Sequence, residues 1–326
     1  MPNDLRDRPV FICGHPKSGT SLLRSLLDSH PQVIVYPEET SFFRRYLPAA
    51  KGLSLDEKIE LADRLLIHIF TWNQKEPPPS QSGFPDRDYS SVDFQRVRQA
   101  FRDQLETKGY RHDGDLLSAA VLGFGQATGR LSERLLWWVE KTPYNEYYAA
   151  QILEWWPQAR CIHILRDPRD NFVSYERKHP DWTVEGFAAN WRRSTQAGCL
   201  NQQRFGRDCY AIYRYEDLIQ TPEAVLQQVR AFLGIEDHEI LRIPTRNGEA
   251  WQGNSMFAEK FQKISDAPKE RWKQKLSQED AGLIGLIAAP YLKLSGYELP
   301  PAVPMRSRAR WLRWKLASAA GRLKKS

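Results

Sequence analysis

A glycine-framed turn near the start of the chain limits the folds open to it more than any other stretch. Val10-Phe11-Ile12-Cys13 reads as a buried strand, Gly14-His15-Pro16-Lys17-Ser18-Gly19-Thr20-Ser21 as a tight loop, and Leu22, Leu23, Leu26 and Leu27 fall at helical spacing. Gly14 and Gly19 let the backbone turn sharply, and the N–H groups of the loop and of the helix start can then converge on an anion. Lys17 adds a full positive charge to that cradle. The candidate anion ligands are therefore Lys17, Ser18, Gly19, Thr20 and Ser21.

The position of the lysine narrows the ligand. In the nucleoside-triphosphatase loop G-x-x-x-x-G-K-[ST], lysine follows the second glycine and the hydroxyl beside it holds magnesium. Here Thr20 occupies the lysine position, and Lys17 lies before Gly19. Such a loop suits a nucleotide whose transferred group needs less charge neutralisation. The string Pro16-Lys17-Ser18-Gly19-Thr20-Ser21 resembles the 5′-phosphosulfate loop of sulfotransferases that use 3′-phosphoadenosine-5′-phosphosulfate, PAPS. The resemblance implies an α/β, P-loop-like three-layer fold with a central, mainly parallel sheet flanked by helices. It also implies PAPS as donor, the bisphosphate PAP as product, and no metal. A P-loop kinase using ATP and magnesium, and a non-catalytic, membrane-associated nucleotide-binding scaffold, are the alternative readings.

A donor with a 3′-phosphate needs a second anion site. Arg160-Cys161-Ile162-His163-Ile164-Leu165 reads as a largely buried strand with Arg166 at its carboxyl end, where open α/β sheets bind ligands. Asp167 is a good N-cap, Pro168 suits the first helical turn, and Ser174 follows on that helix. Arg166 and Ser174 match the arginine and serine that grip the 3′-phosphate in the family. A guanidinium forks onto phosphate and a hydroxyl completes the pocket.

Transfer also needs a base. Val33-Ile34-Val35-Tyr36 reads as a short strand, followed by Pro37-Glu38-Glu39-Thr40-Ser41-Phe42-Phe43. Glu39 is similar in placement to the glutamate of heparan-type sulfotransferases and to the second glutamate of the Glu-Glu-Thr string in tyrosylprotein sulfotransferases. A glutamate near a bound anion is expected to have a raised affinity for protons, which suits general-base work in a partly desolvated site. Glu38 as base, or both glutamates favouring a helix N-terminus, are the competing readings. Lys141, in Val139-Glu140-Lys141-Thr142-Pro143, resembles the family lysine that reaches the reacting centre; the plainer reading is an exposed Glu140–Lys141 pair. Lys17 and Lys141 would together offset charge growing on the bridging and sulfuryl oxygens.

Tyr213-Arg214-Tyr215-Glu216-Asp217-Leu218 also recurs in the family and reads as structural, a strand end followed by a helix that Thr221-Pro222-Glu223 begins. Trp251-Gln252-Gly253-Asn254-Ser255 and residues 265–273 read as a polar late loop. Family members cover the 3′-phosphate with such a loop, and of Lys269, Arg271 and Lys273 the best match is Arg271. The family glycine before that arginine is Glu270 here.

With 326 residues, 41% hydrophobic and 27% charged, the chain can bury a large core, and one unit over 1–304 is expected. Residues 45–135 read as a mostly helical insertion beside the acceptor, with helical periodicity over Leu53–Phe70 and Phe94–Leu105 around a Pro-rich loop at 77–83. The net charge of +7 does not point to nucleic acid, because residues 305–326 hold eight Lys or Arg and no acid, which leaves the rest near −1. Met305, Ala309, Leu312, Leu316, Ala319 and Leu323 share one helical face of that tail. It reads as a membrane-surface helix, a helix docked on the domain, or a solvated basic tail. Cys13, Cys161, Cys199 and Cys209 lack metal-site spacing and are expected to be reduced. Without an apolar leader the chain is expected to be cytoplasmic, with peripheral membrane contact if the tail provides it. The glycan- and tyrosine-directed sulfotransferases carry an N-terminal anchor, so their substrates do not transfer. A hydroxyl on a carbohydrate, glycolipid or small metabolite is the expected acceptor class.

Overall fold

Five short apolar runs pair into one parallel sheet in the computed structural model, which describes residues 4–81, 87–251, 253, 269–298 and 302–323. The strands are β1 (Pro9–Cys13), β2 (Val33–Val35), β3 (Trp137–Lys141), β4 (Arg160–Leu165) and β5 (Tyr210–Arg214), in the order β2-β3-β1-β4-β5. In register, Ile12 of β1 lies opposite Lys141 on one side and Ile162 on the other. The carboxyl ends of the central strands therefore finish side by side. From β1 the chain passes over β3 to β2 and later crosses to β4, which makes the end of β1 a topological switch point, the usual place for a ligand.

Alternation along the strands supplies both sheet faces with apolar side chains. Val10 and Ile12 join Val33, Val35, Val139 and Ile162 under Leu23, Leu26 and Leu27 of the helix Thr20–Leu27. Phe11, Ile34 and Trp138 face the other way, onto Leu116, Leu117, Ala120, Val121 and Phe124 of the helix Gly114–Ala127. That second helix has no counterpart in the sequence reading. Its buried residues run from Gly114 to Gly125 without a break, so it lacks the polar face that gives a 3.6-residue signal. At Gly123 a Cβ would lie 2.7 Å from the Phe101 nitrogen, so only glycine lets the helix Phe94–Lys108 approach so closely.

The expected helix over Leu53–Phe70 begins at Leu55, where Ser54 and Glu57 form a reciprocal cap. Its winding widens at Asp63–Ile67 and tightens at His68–Thr71. At the other end of the chain, Gln278–Leu294 packs with Phe172, Phe187 and Trp191 in a third apolar cluster. The tail helix Met305–Leu323 docks there too: Trp311 and Trp314 pack on the cluster, Ser307 donates to the Glu279 carbonyl (2.7 Å), and Arg310 pairs with Asp280 (2.8 Å) and Glu185 (3.0 Å). Docking uses a different face from the apolar stripe. Met305 and Leu316 remain 79% and 63% exposed, and Ala309, Leu312 and Ala319 are exposed beside them. The Leu323 side chain and residues 324–326 lie outside the described part. All four cysteines are free thiols, and no described helix is long and apolar enough to cross a membrane.

Candidate active site

The loop after β1 takes its shape from two glycines and a strained lysine. Gly14 (φ +127°) and Gly19 (φ +97°) lie in the left-handed region, and a Cβ on either would meet the Ile164 carbonyl at 2.4 Å or the Tyr215 ring at 2.2 Å. Lys17 also has positive φ, +66°. Beneath the loop the buried Glu146 accepts the Gly14 N–H (3.0 Å) and the Ser194 hydroxyl, and burial pushes its carboxyl up to about 7. The ligand-type atoms of Cys13, Glu146 and His163 lie within 4.8 Å of one another, and the Tyr210 hydroxyl bonds His163 Nδ1 (2.9 Å). Ser18 departs from the expectation: its hydroxyl donates to the His15 carbonyl inside the loop, and its side chain is buried away from the cleft above. Lys17, Gly19, Thr20 and Ser21 do line that cleft.

The cleft has a volume of about 620 Å³ and opens over the carboxyl ends of the strands. Arg166, Ser174 and Arg271 line it with the loop. Arg166 Nη1 donates to Ser174 Oγ (3.2 Å) and to the Lys17 carbonyl (2.9 Å), so the two expected anion sites are tied directly together. Its guanidinium lies 4.6 Å from the Tyr215 ring centre. Tyr215, read from the sequence as structural, is thus a wall of the site and packs beside Gly19. Asp170 was missed as well. Its carboxylate accepts the N–H groups of Glu270 (2.7 Å) and Trp272 (2.9 Å), while Arg169 lies 4.1 Å from the Trp272 ring centre. These contacts hold Arg271 at the cleft. Glu270 has φ +57°, which explains why a glycine fits that position in relatives of the motif. Lys273 pairs with Glu270 (2.8 Å). Trp251 and Gly253 line the cleft, whereas Gln252, Asn254, Ser255 and 265–268 lie outside the described residues.

At the centre, Lys141 donates to Glu39 Oε1. The Lys141 side chain is only 2% exposed and that of Glu39 46%, facing the cleft. The exposed-pair reading of Glu140 and Lys141 is overturned, because both are buried. Glu140 accepts the Thr40 hydroxyl (2.9 Å), the Thr142 hydroxyl and the Asn145 amide (2.7 Å), fastening the Glu39 loop to the end of β3. The rise in proton affinity expected for Glu39 concerns a cleft with an anion beside it; the protein's own groups act in the opposite direction. Burial does push its carboxyl up, but the charge and hydrogen bond of Lys141, with Arg24 and Arg87, outweigh that and hold it below its ordinary value. Burial lowers Lys141, and it brings Lys17 down to about 8 with help from the charges of Lys178, Lys141 and Arg166. Glu38 is engaged elsewhere, with Arg246, Arg87 (3.0 Å) and Tyr89 (2.5 Å). Neither glutamate caps the helix that follows; Ser41 is its N-cap residue.

Buried Arg24, on the first helix, also lines the cleft and donates to the Pro37 carbonyl. A lone arginine among Leu22, Leu23, Leu26 and Leu27 was the available signal for it. The far wall comes from Arg44 and, from the insertion, Arg45, Arg64, Leu65, His68, Ile69 and Trp72.

Residues 9–239 match the family model described as Sulfotransferase family. The chain belongs to the sulfotransferase family. Protein-tyrosine sulfotransferase A of Caenorhabditis elegans is 25% identical over 235 residues, covering 69% of this chain and 50% of that protein. Omega-hydroxy-beta-dihydromenaquinone-9 sulfotransferase Stf3 of Mycobacterium bovis is 26% identical over 268 residues, covering 72% of this chain and 65% of that protein. The chain therefore matches between half and two-thirds of the length of these relatives. The sulfotransferase domain from the Synechococcus PCC 7002 olefin synthase shares the fold, with a TM-score of 0.53 at 21% identity over 90% of this chain and 96% of that one.

Proposed function

We propose that residues 1–304 act as one sulfotransferase unit that moves a sulfuryl group from PAPS to an acceptor hydroxyl on a carbohydrate, glycolipid or small metabolite. What carries this reading is the meeting of the glycine loop, the Arg166–Ser174 pair and the Glu39–Lys141 pair in one cleft. Arg166, Ser174 and Arg271 hold the 3′-phosphate, and Lys17 with the backbone of Gly19, Thr20 and Ser21 holds the 5′-phosphosulfate. Glu39 takes the hydroxyl proton as the acceptor oxygen bonds to sulfur and the bond from sulfur to the 5′-phosphate oxygen breaks, leaving PAP with the electron pair. Lys17 and Lys141 offset the charge that grows on the bridging and sulfuryl oxygens. As Lys141 turns from Glu39 toward those oxygens, the carboxylate regains proton affinity when it is needed. Family membership weighs against a kinase, and a base–lysine pair inside the cleft weighs against a scaffold without turnover.

Labelled PAPS and a panel of hydroxyl acceptors test the scheme. Glu39→Gln should keep PAP affinity within about twofold while transfer falls roughly 10²–10⁴-fold. Transfer at the wild-type rate would place the base elsewhere. For the appended helix, the exposed Met305–Leu312–Leu316 stripe beside exposed Arg308, Arg313 and Lys315 supports contact with an anionic membrane surface. A Leu312→Ser, Leu316→Ser variant should bind anionic vesicles more weakly than the intact chain; equal binding would remove this element.

A further inference from the structure

The wall of the cleft built by the insertion carries charge that sulfuryl transfer itself does not use. The change of winding along Leu55–Thr71 turns Arg64, Leu65, His68, Ile69 and Trp72 to the cleft, facing it together with Arg44 and Arg45. Other arginines of the cleft are spoken for: Arg87 pairs with Glu38, and Arg24 donates to the Pro37 carbonyl. Arg44, Arg45 and Arg64 are exposed, and among the described residues none of them forms an ion pair with a carboxylate. Arg44 lies 5.0 Å from the Tyr144 ring centre. Leu65, Ile69 and Trp72, half-buried, form an apolar strip beside these cations.

We propose that this wall selects an acceptor that is itself an anionic amphiphile. Its apolar body lies on Leu65, Ile69 and Trp72, and an oxyanion group, whether phosphate, sulfate or carboxylate, lies on Arg45 and Arg64 within reach of the hydroxyl offered to Glu39. The inference rests on the sulfuryl-transfer reading only for that hydroxyl. Two observations join in it. With Lys17 and Lys141 facing the phosphosulfate and Arg24 on the Pro37 carbonyl, the cations left over are Arg44, Arg45 and Arg64, and a neutral lipid would leave those three without an anion partner. A hydrophilic polyanion would leave the apolar strip wet. A small molecule with both features satisfies the wall at once.

Calorimetry on the full chain with saturating PAP tests it, so that no probe enters the donor site. The probes are octyl phosphate below its micelle concentration, octyl glucoside as the same body without charge, and inorganic phosphate as the charge without the body. Octyl phosphate should bind at least roughly tenfold tighter than either control. An Arg45→Gln, Arg64→Gln variant should lose roughly tenfold or more of that affinity, and an Arg45→Lys, Arg64→Lys variant should recover most of it, with PAP affinity the same throughout. Octyl glucoside binding as tightly as octyl phosphate, or no loss in the glutamine variant, would overturn the proposal. If the wild-type chain fails to bind PAP, the donor reading falls instead, and the octyl phosphate comparison is then decided on the free protein.

Discussion

In the proposed reading, the donor end of the cleft is assembled from strand termini, whereas the acceptor end is assembled from helices inserted between β2 and β3. At the donor end, Lys17, Lys141, Arg166 and Tyr215 stand at or just past the ends of β1, β3, β4 and β5, and hydrogen bonds lock the parts together. At the acceptor end, Arg44, Arg45, Arg64 and Trp72 project from helical turns of changing winding, and the cations are exposed. A sheet fixes positions through register, which suits the end proposed to hold one invariant nucleotide. An inserted helical wall can change its side chains without disturbing the sheet, which suits the part proposed to select the acceptor.

The sharpest break between the two ends lies at their junction. Lys141→Met should lower turnover roughly 10²–10³-fold while PAP affinity changes little, as single-turnover transfer and calorimetry would show. Because Lys141 holds the Glu39 carboxyl below its ordinary value, its removal should also move the acidic limb of the pH–rate profile upward. An unmoved limb would separate the two residues functionally. A smaller effect is expected within the donor end: Arg166→Ala should weaken PAP binding roughly 10–100-fold and leave the affinity for acceptor unchanged. Equal loss at both ends would erase the division.

Much of the donor end was legible because chemistry dictates residue type there. Glycines with positive φ, a lysine in the turn and a strand-end arginine with its serine are sequence marks of an anion cradle, and the structure brings Lys17, Arg166, Ser174 and Arg271 into one cleft. Ser18 escaped because whether a hydroxyl faces ligand or its own loop depends on a single rotamer. Tyr215, Asp170 and Glu140 escaped because their partners are far off in sequence: Gly19, the backbone at 270 and 272, and the loop around Thr40. The helix Gly114–Ala127 gave no periodic signal, since it is buried on nearly every side. At Glu39 the pull of the protein's own groups was not legible, because a carboxylate in a pocket is drawn one way by burial and the other by a lysine whose approach no spacing reveals.

The smallest expected effect concerns pH at the loop. Burial, with neighbouring cations, brings Lys17 down to about 8, and a bound phosphosulfate would favour its charged form. Above about pH 7, where the 3′-phosphate is fully ionised, PAPS affinity should therefore be flat to about pH 8 and then decline by at most tenfold per pH unit, a decline that Lys17→Met should abolish. A wild-type curve flat to pH 10 would take Lys17 out of donor binding.

The account depends most on the nucleotide this cleft accepts. Calorimetric titration of the protein with PAP without magnesium, against ADP and ATP, addresses that directly. Binding selective for PAP, lost on changing Arg166, is the predicted result. No binding of PAP, or tighter binding of ATP that requires magnesium, would contradict it.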